Sequence, residues 1–275
     1  MGKRGRVIVW GGFDDFQMPH MRWLHEASRL GSVHVFFLTD RAIEAQTGRP
    51  PKYPQAEREY LLDAVRFVSS TAPADDPEPE ALADRVKALN PVAWVAAEGQ
   101  EETAQRKLCE RLGARFHAVA RAQLETAPEE PPPGEPSSDA PKAIVTGCYD
   151  WLHSGHVRFF EEASRFGDLY VVVGHDANIR ALKGEGHPLF PAKTRRYMVA
   201  GIRYVRQALI SSGEGWLDAE PEIRRLRPDF YVVNEDGDRP EKRAYCEKHG
   251  IRYIVLKRTP KEGLPPRSST RLRGY

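Results

Sequence analysis

Cysteine is scarce in this chain. Its 275 residues include three, Cys109, Cys148 and Cys246, too few and too widely spaced for a disulfide scaffold or a zinc cluster. Long apolar runs are missing as well. Nothing approaches the roughly 18–20 residues a membrane helix needs, and Val7 to Trp10 is too short for the core of a secretion signal. Neither sign of charge dominates: 41 Lys and Arg face 39 Asp and Glu, a net charge of +2. Attraction to nucleic acid or to a membrane by bulk charge is therefore not expected. Basic residues do gather near both ends (Lys3, Arg4, Arg6; Arg267, Arg271, Arg273), where they either bind anions or are solvated. With 40% apolar and 29% charged residues the composition is that of a globular protein, and the cytoplasm is its expected location. The length suits one large domain or two ordinary ones.

What is present is a repeat. Residues 126–141 are rich in Pro, Glu and Ser and read as an extended linker. On either side the chain resembles itself. Phe13-Asp14 and Tyr149-Asp150 lie 136 positions apart, as do Asp40 and Asp176 and the stretches 24–31 and 160–167. One residue is then gained, and Arg58, Arg66, Cys109 and Gly113 meet Arg195, Arg203, Cys246 and Gly250 at 137. This reads as a tandem duplication. It divides the chain into a first domain, 1–125, the linker 126–141, and a second domain, 142–275. In the second half, strands are expected near Ala143–Thr146, Leu169–Val173, Val205–Ile210, Phe230–Val233 and Arg252–Leu256. Helices are expected at Gly155–Phe166, Ala192–Arg203, Glu220–Leu226 and Arg239–His249. Such alternation implies an α/β fold, two tandem Rossmann-like domains with parallel sheets, whose ligands lie beyond the carboxyl ends of the strands.

The first of those ends in the second half carries His153-Ser154-Gly155-His156. A helix start offers free backbone N–H groups. Two imidazoles placed there donate hydrogen bonds to an α-phosphate as it becomes five-coordinate, and Gly155 lets the backbone come close. A capping or packing pair of histidines is the plain alternative.

The pattern Gly147-x-Tyr149-Asp150-x-x-His153-Ser154-Gly155-His156 resembles the signature of the HxGH nucleotidyltransferase superfamily, and within it the cytidylyltransferase family. Further elements follow in family order over residues 142–273. Asp150 and Asp176 match acidic positions near the nucleotide and metal. Lys183 matches a phosphate-binding lysine, Arg195 a helix arginine and Trp216 a substrate-loop tryptophan. Arg258-Thr259 with Ser268-Ser269-Thr270 resembles the element that opens the last helix and holds the β- and γ-phosphates. The resemblance implies transfer of CMP from CTP to a phosphorylated small alcohol, of the phosphoethanolamine or glycerol 3-phosphate type, with loss of pyrophosphate. ATP with a sugar phosphate, as in ADP-heptose synthase, is the alternative nucleotide chemistry, and a non-catalytic nucleotide sensor is the alternative class. His153, His156, Lys183 and Arg195 take the catalytic roles. Gly147, Tyr149, Asp150, Gly155, Asp176, Arg258, Ser268, Ser269 and Thr270 bind the nucleotide. Trp216, Asn234 and Asp236 face the acceptor, and Mg²⁺ sits by Asp150 and Asp176.

The chain departs from that family at two places. Residues 260–267 lengthen the join between Arg258-Thr259 and Ser268, and Asn234 stands where relatives carry glycine. The first copy departs much further: it has Gln17 for His153, Pro19 for Gly155 and Thr47 for Lys183, while keeping Asp14, His20, Asp40, Arg58 and Arg121. It is expected to be non-catalytic, packed on the second copy as a pseudo-dimer within one chain, with a homodimer a further option.

Overall fold

The computed structural model describes residues 5–99, 102–131, 133–134 and 139–272, and of Glu102, Thr270 and Arg271 the backbone alone. The chain divides into two compact units, Met1–Ala127 and Pro128–Tyr275. The first runs β1 (Arg6–Gly11), α1 (Met18–Leu30), β2 (Ser32–Leu38), α2 (Asp40–Thr47), α3 (Gln55–Ala64), β3 (Val68–Ala74), α4 (Ala83–Leu89), β4 (Ala93–Ala97), α5 (Glu102–Leu112), β5 (Arg115–Val119) and α6 (Arg121–Leu124). The second runs β6 (Lys142–Gly147), α7 (Ser154–Ala163), β7 (Asp168–Val173), α8 (Asp176–Lys183), α9 (Ala192–Ala200), β8 (Val205–Ile210), α10 (Glu220–Leu226), β9 (Phe230–Asn234), α11 (Pro240–His249), β10 (Arg252–Leu256) and α12 (Ser269–Leu272).

Each unit holds one five-stranded parallel sheet. The orders are β3-β2-β1-β4-β5 and β8-β7-β6-β9-β10, the same arrangement twice. Strands covered by helices on both faces must be apolar on both, which is why Val7–Val9 and Ala143–Val145 read as unbroken apolar runs and are fully buried. Helix α7 instead shows one inward stripe: Val157, Phe160 and Ala163, three residues apart, are fully buried. Helix α8 escaped the sequence reading because it is short and buries little beyond Asn178 and Ile179; the His175 side chain caps it by accepting from Asn178 N at 3.3 Å. Residues of the Pro/Glu-rich stretch bond to the second unit: Glu129 takes the Lys193 ammonium at 2.9 Å, and Gly134 N donates to Arg206 O at 2.7 Å.

The chain leaves β6 in opposite directions to its two neighbours, β7 and β9, so a crevice opens beyond the carboxyl ends of β6 and β9. Both units shape this end in the same way. Phe13 and Tyr149, the aromatic residues of the first strand-to-helix turn, both sit at φ 52°, in the left-handed region, a conformation that costs about 1–3 kcal/mol and persists where the surroundings enforce it. The enforcing contacts repeat as well. Asp14 accepts from the N–H groups of Lys52 and Tyr53, and Asp150 from those of Leu189 and Phe190, at 2.8–2.9 Å. Arg58 donates to Tyr53 O, Gly12 O, Leu38 O and Asp40. Arg195 donates to Phe190 O, Cys148 O, Gly174 O and Asp176. Both arginines are about 1% exposed.

Candidate active site

The crevice of the second unit is a cavity of about 200 Å³, and His153 and His156 stand together in its wall. His153 is the N-cap of α7, and its Nδ1 accepts from Gly155 N at 3.1 Å. A nitrogen that accepts carries no proton, so the neutral ring holds its hydrogen on Nε2. That Nε2 is buried without a hydrogen-bond partner, as is Nδ1 of His156. The two rings stack with centroids 3.8 Å apart, and Tyr149 meets His156 edge-on at 5.3 Å. Burial, reinforced by Arg258 and Arg267, pushes the His153 imidazole down to about 3. Burial, with His153, Arg258 and Lys183 adding, holds His156 well below the usual histidine range. Both rings are therefore neutral near pH 7, and His153 is a fixed N–H donor with nothing to donate to.

Gly155 packs against the His153 ring. A Cβ there would lie 3.0 Å from both Cε1 and Nδ1 of His153, and the Gly155 N–H is the donor that fixes the tautomer. In the first unit the equivalent residue is Pro19, which has no N–H, and the cap is Gln17, whose side chain accepts from the His20 backbone while His20 Nδ1 accepts from Gln17 N at 3.2 Å. Loss of the histidine and loss of the amide that orients it go together.

Of the residues singled out from sequence, the cavity brings together Gly147, Tyr149, Asp150, Gly155 and Lys183 from the β6 and β7 side, and Asn234, Asp236, Arg258 and Ser269 from the β9 side. Arg258 is tied to Asp236 at 2.8 Å and to Arg267 O at 3.0 Å. Ser268 lines a neighbouring cavity of about 330 Å³, bounded by the lengthened segment 260–267 and sharing Gly155, Phe159, Asn234 and Arg258 with the first. Lys261, paired with Glu161 at 2.9 Å, pins that segment to α7. Two adjoining cavities flank the histidine pair. The Thr270 side chain lies outside the described residues.

Three groups of expected site residues stand apart from the cavity lining or are engaged within the fold. Arg195 does not reach the cavity: its guanidinium is spent on three carbonyls and Asp176, and Arg58 makes the same bonds in the unit without the histidine pair. It is a tie of the fold. Trp216 also lies outside the lining, half exposed, with the Arg239 guanidinium 4.7 Å from its ring centroid. Asp150 and Asp176, expected beside Mg²⁺, are both engaged within the fold. The Asp150 carboxylate is capped by two backbone amides, one Asp176 oxygen is held by Arg195 at 2.6 Å, and no group of three metal-ligating side chains occurs among the described residues. Sequence reading also missed a lining residue, Lys242 on α11. No motif marks it; the one available signal was the offset of 137, which pairs it with an uncharged Gln105.

A Cytidylyltransferase-like family model matches residues 144–274. The chain is 32% identical over 134 residues to the FAD synthase of Ferroglobus placidus, spanning 48% of this chain and 84% of that one. Against the FAD synthase of Methanospirillum hungatei it is 34% identical over 131 residues, spanning 46% and 80%. Against the Bifunctional protein HldE of Campylobacter curvus it is 34% identical over 102 residues, spanning 36% and 21%. These relatives overturn the expectation of CMP transfer from CTP to a phosphorylated alcohol, because the proteins sharing this half are named for FAD synthesis and not for cytidylyl transfer. An HxGH element that engages an α-phosphate would not tell the nucleoside triphosphates apart, because that phosphate is the same in all of them. No helix among the described residues is long and apolar enough to cross a membrane. The chain is a nucleotidyltransferase that belongs to the cytidylyltransferase-like family of the HxGH superfamily.

Proposed function

We propose that the second unit is an adenylyltransferase that joins AMP from ATP to the phosphate of FMN, giving FAD and pyrophosphate. The acceptor choice rests on the FAD synthases that align over most of their own length. A phosphate oxygen of FMN attacks the α-phosphorus of ATP, the bond to the bridging oxygen of the β-phosphate breaks, and that oxygen leaves on pyrophosphate. The observation that carries the reaction type is the unpartnered Nε2–H of His153, neutral, buried and fixed by Gly155. Such a donor is preorganised for charge that builds on the α-phosphate oxygens in the transition state. His156 supplies a second ring beside it, and Lys183 and Arg258 add positive charge at the rim. No covalent intermediate is needed. Adenylyl transfer to a sugar phosphate, the alternative that the sequence resemblance implies, is the second reading.

The first unit is, on this proposal, a duplicate of the same fold without catalytic capacity. Gln17, Pro19 and Thr47 replace the histidine, its orienting amide and the rim lysine, while the Asp14 and Arg58 ties are kept.

Pyrophosphate release should be measured with each of the four nucleoside triphosphates against FMN and a panel of sugar phosphates, with FAD read by chromatography. ATP with FMN is expected to be the productive pair. Faster turnover with CTP than with ATP, or no FAD from ATP and FMN, overturns the proposal.

A further inference from the structure

Lys242 sits on the first turn of α11, 8% exposed, in the lining of the 200 Å³ cavity. Its ammonium makes one long hydrogen bond, to Thr146 Oγ1 at 3.4 Å, and lies 5.6 Å from the ring centroid of Tyr231. Thr146 and Tyr231 already share a hydrogen bond of 2.9 Å. Among the described residues no carboxylate comes within ion-pair distance of Nζ. Asp218 and Asp238 are felt only from further away, beside Arg239 and Cys246, and burial holds the ammonium below the usual lysine range. A buried cation without a counter-anion costs several kcal/mol, so a fold that places one there does so for something other than its own stability.

The first unit shows what the fold does without this charge. The same offsets place Trp10, Trp94 and Gln105 at the positions of Thr146, Tyr231 and Lys242. There the two indoles join the hydrophobic core and Gln105 is fully buried. The position therefore accepts a neutral side chain of similar length. The charge occurs in the unit that also has the His153–His156 pair and Lys183.

We propose that Lys242 binds the attacking phosphate of the acceptor, a phosphomonoester dianion, on the floor of the cleft. This rests on the nucleotidyl-transfer reading above. Two dianionic or polyanionic phosphates must be brought together for the reaction, and their repulsion is strongest where water is excluded. An ammonium with two unspent donors offsets that repulsion on the acceptor's side. The assignment to the acceptor and not to ATP follows from position. Arg258 lines both cavities, and Ser268 and the segment 260–267 bound the second, whereas Lys242 lines the first alone. Arg258 is moreover already paired with Asp236.

The test uses the full chain as wild type, Lys242→Gln and Lys242→Arg. Inorganic phosphate, as a stand-in for the acceptor's head, is titrated by calorimetry into protein saturated with a non-cleavable α,β-methylene analogue of ATP. The same analogue is titrated into the free proteins. Lys242→Gln is expected to weaken phosphate binding roughly tenfold or more, the loss of one charge-assisted hydrogen bond. The nucleotide analogue should bind within about twofold of wild type, and Lys242→Arg should recover part of the loss. Equal phosphate affinity in wild type and Lys242→Gln, or a loss that falls on the nucleotide analogue, overturns the assignment. If Lys242→Gln unfolds, Lys242→Met gives the same readout. A Lys242-dependent phosphate site in a protein that makes no FAD would refute the FMN reading and leave Lys242 in place; FAD synthesis with phosphate binding indifferent to Lys242 would do the reverse.

Discussion

Replacing His153 by Gln tests the reaction chemistry with the least disturbance to the fold. Glutamine already caps the equivalent helix in the first unit, where the Gln17 side chain accepts from the helix's third N–H. The variant therefore keeps a capping acceptor and a side chain of similar reach while removing a fixed Nε2–H. Loss of one preorganised donor to a developing oxyanion costs ~2.7–4 kcal/mol, or about 10²–10³ in kcat. Because His153 carries the donor, kcat and kcat/KM should fall together, the pattern of an interaction made in the transition state. The assay is pyrophosphate release from ATP and FMN under saturating and single-turnover conditions, with thermal melting as the control for folding. Gly155→Ala supplies a graded companion. Its Cβ would press on the His153 ring at 3.0 Å, displacing the donor by a few tenths of an ångström without deleting it, for a loss of roughly tenfold. Turnover by His153→Gln within about threefold of wild type would refute the donor role, and an undisturbed Gly155→Ala would refute the packing argument.

Arg195→Met should lower the stability of the second unit by about 3–5 kcal/mol, since it strands three buried carbonyls and the Asp176 carboxylate. Arg58→Met should cost the first unit as much and leave turnover intact. Denaturant unfolding checks both, and a stable Arg195→Met protein that has lost turnover would return Arg195 to the phosphate. Acid should destabilise both units. Burial holds His20 and His25 at about 4 and His153 at about 3, so between those values and about 6.5 the unfolded chain takes up protons that the folded chain refuses. Stability from these groups is complete above pH 6.5 and declines as pH falls towards 3–4, by up to about 2 kcal/mol per group between pH 7 and pH 5. A urea midpoint at pH 5 equal to or above that at pH 7 would contradict the burial of these rings.

Much of the architecture could be read from the chain because its signals are local or repetitive. Apolar runs such as Ala143–Val145 mark strands buried on both faces, and the offsets of 136 and 137 lined up elements that the sheets display in the same order. The placement of His153 and His156 was legible for a similar reason: four consecutive residues at a strand-to-helix turn put both rings in the cavity wall. Arg195 was misread because a motif gives a residue type and a place in the order but not the direction of the side chain. The guanidinium turns inward to Cys148 O and Gly174 O, contacts made across 47 and 21 residues. The Asp150 oxygens are likewise taken by amides 39 and 40 residues away, partners that no local motif shows. Lys242 was invisible because it belongs to no motif and reaches the cavity only when α11 packs beside β6 and β9.

The sequence by itself determined the α/β alternation, the position of the HxGH turn, and which of the two halves keeps both imidazoles, since each is written in contiguous residues or in a comparison of the chain with itself. The tertiary structure decided which polar groups are free to act. A hydrogen-bond donor is available for chemistry only if nothing else in the fold has claimed it, and that accounting depends on partners far away in sequence. It leaves the Nε2–H of His153 and the ammonium of Lys242 unspent in the cleft and commits Arg195 and the Asp150 carboxylate to holding the cleft's shape.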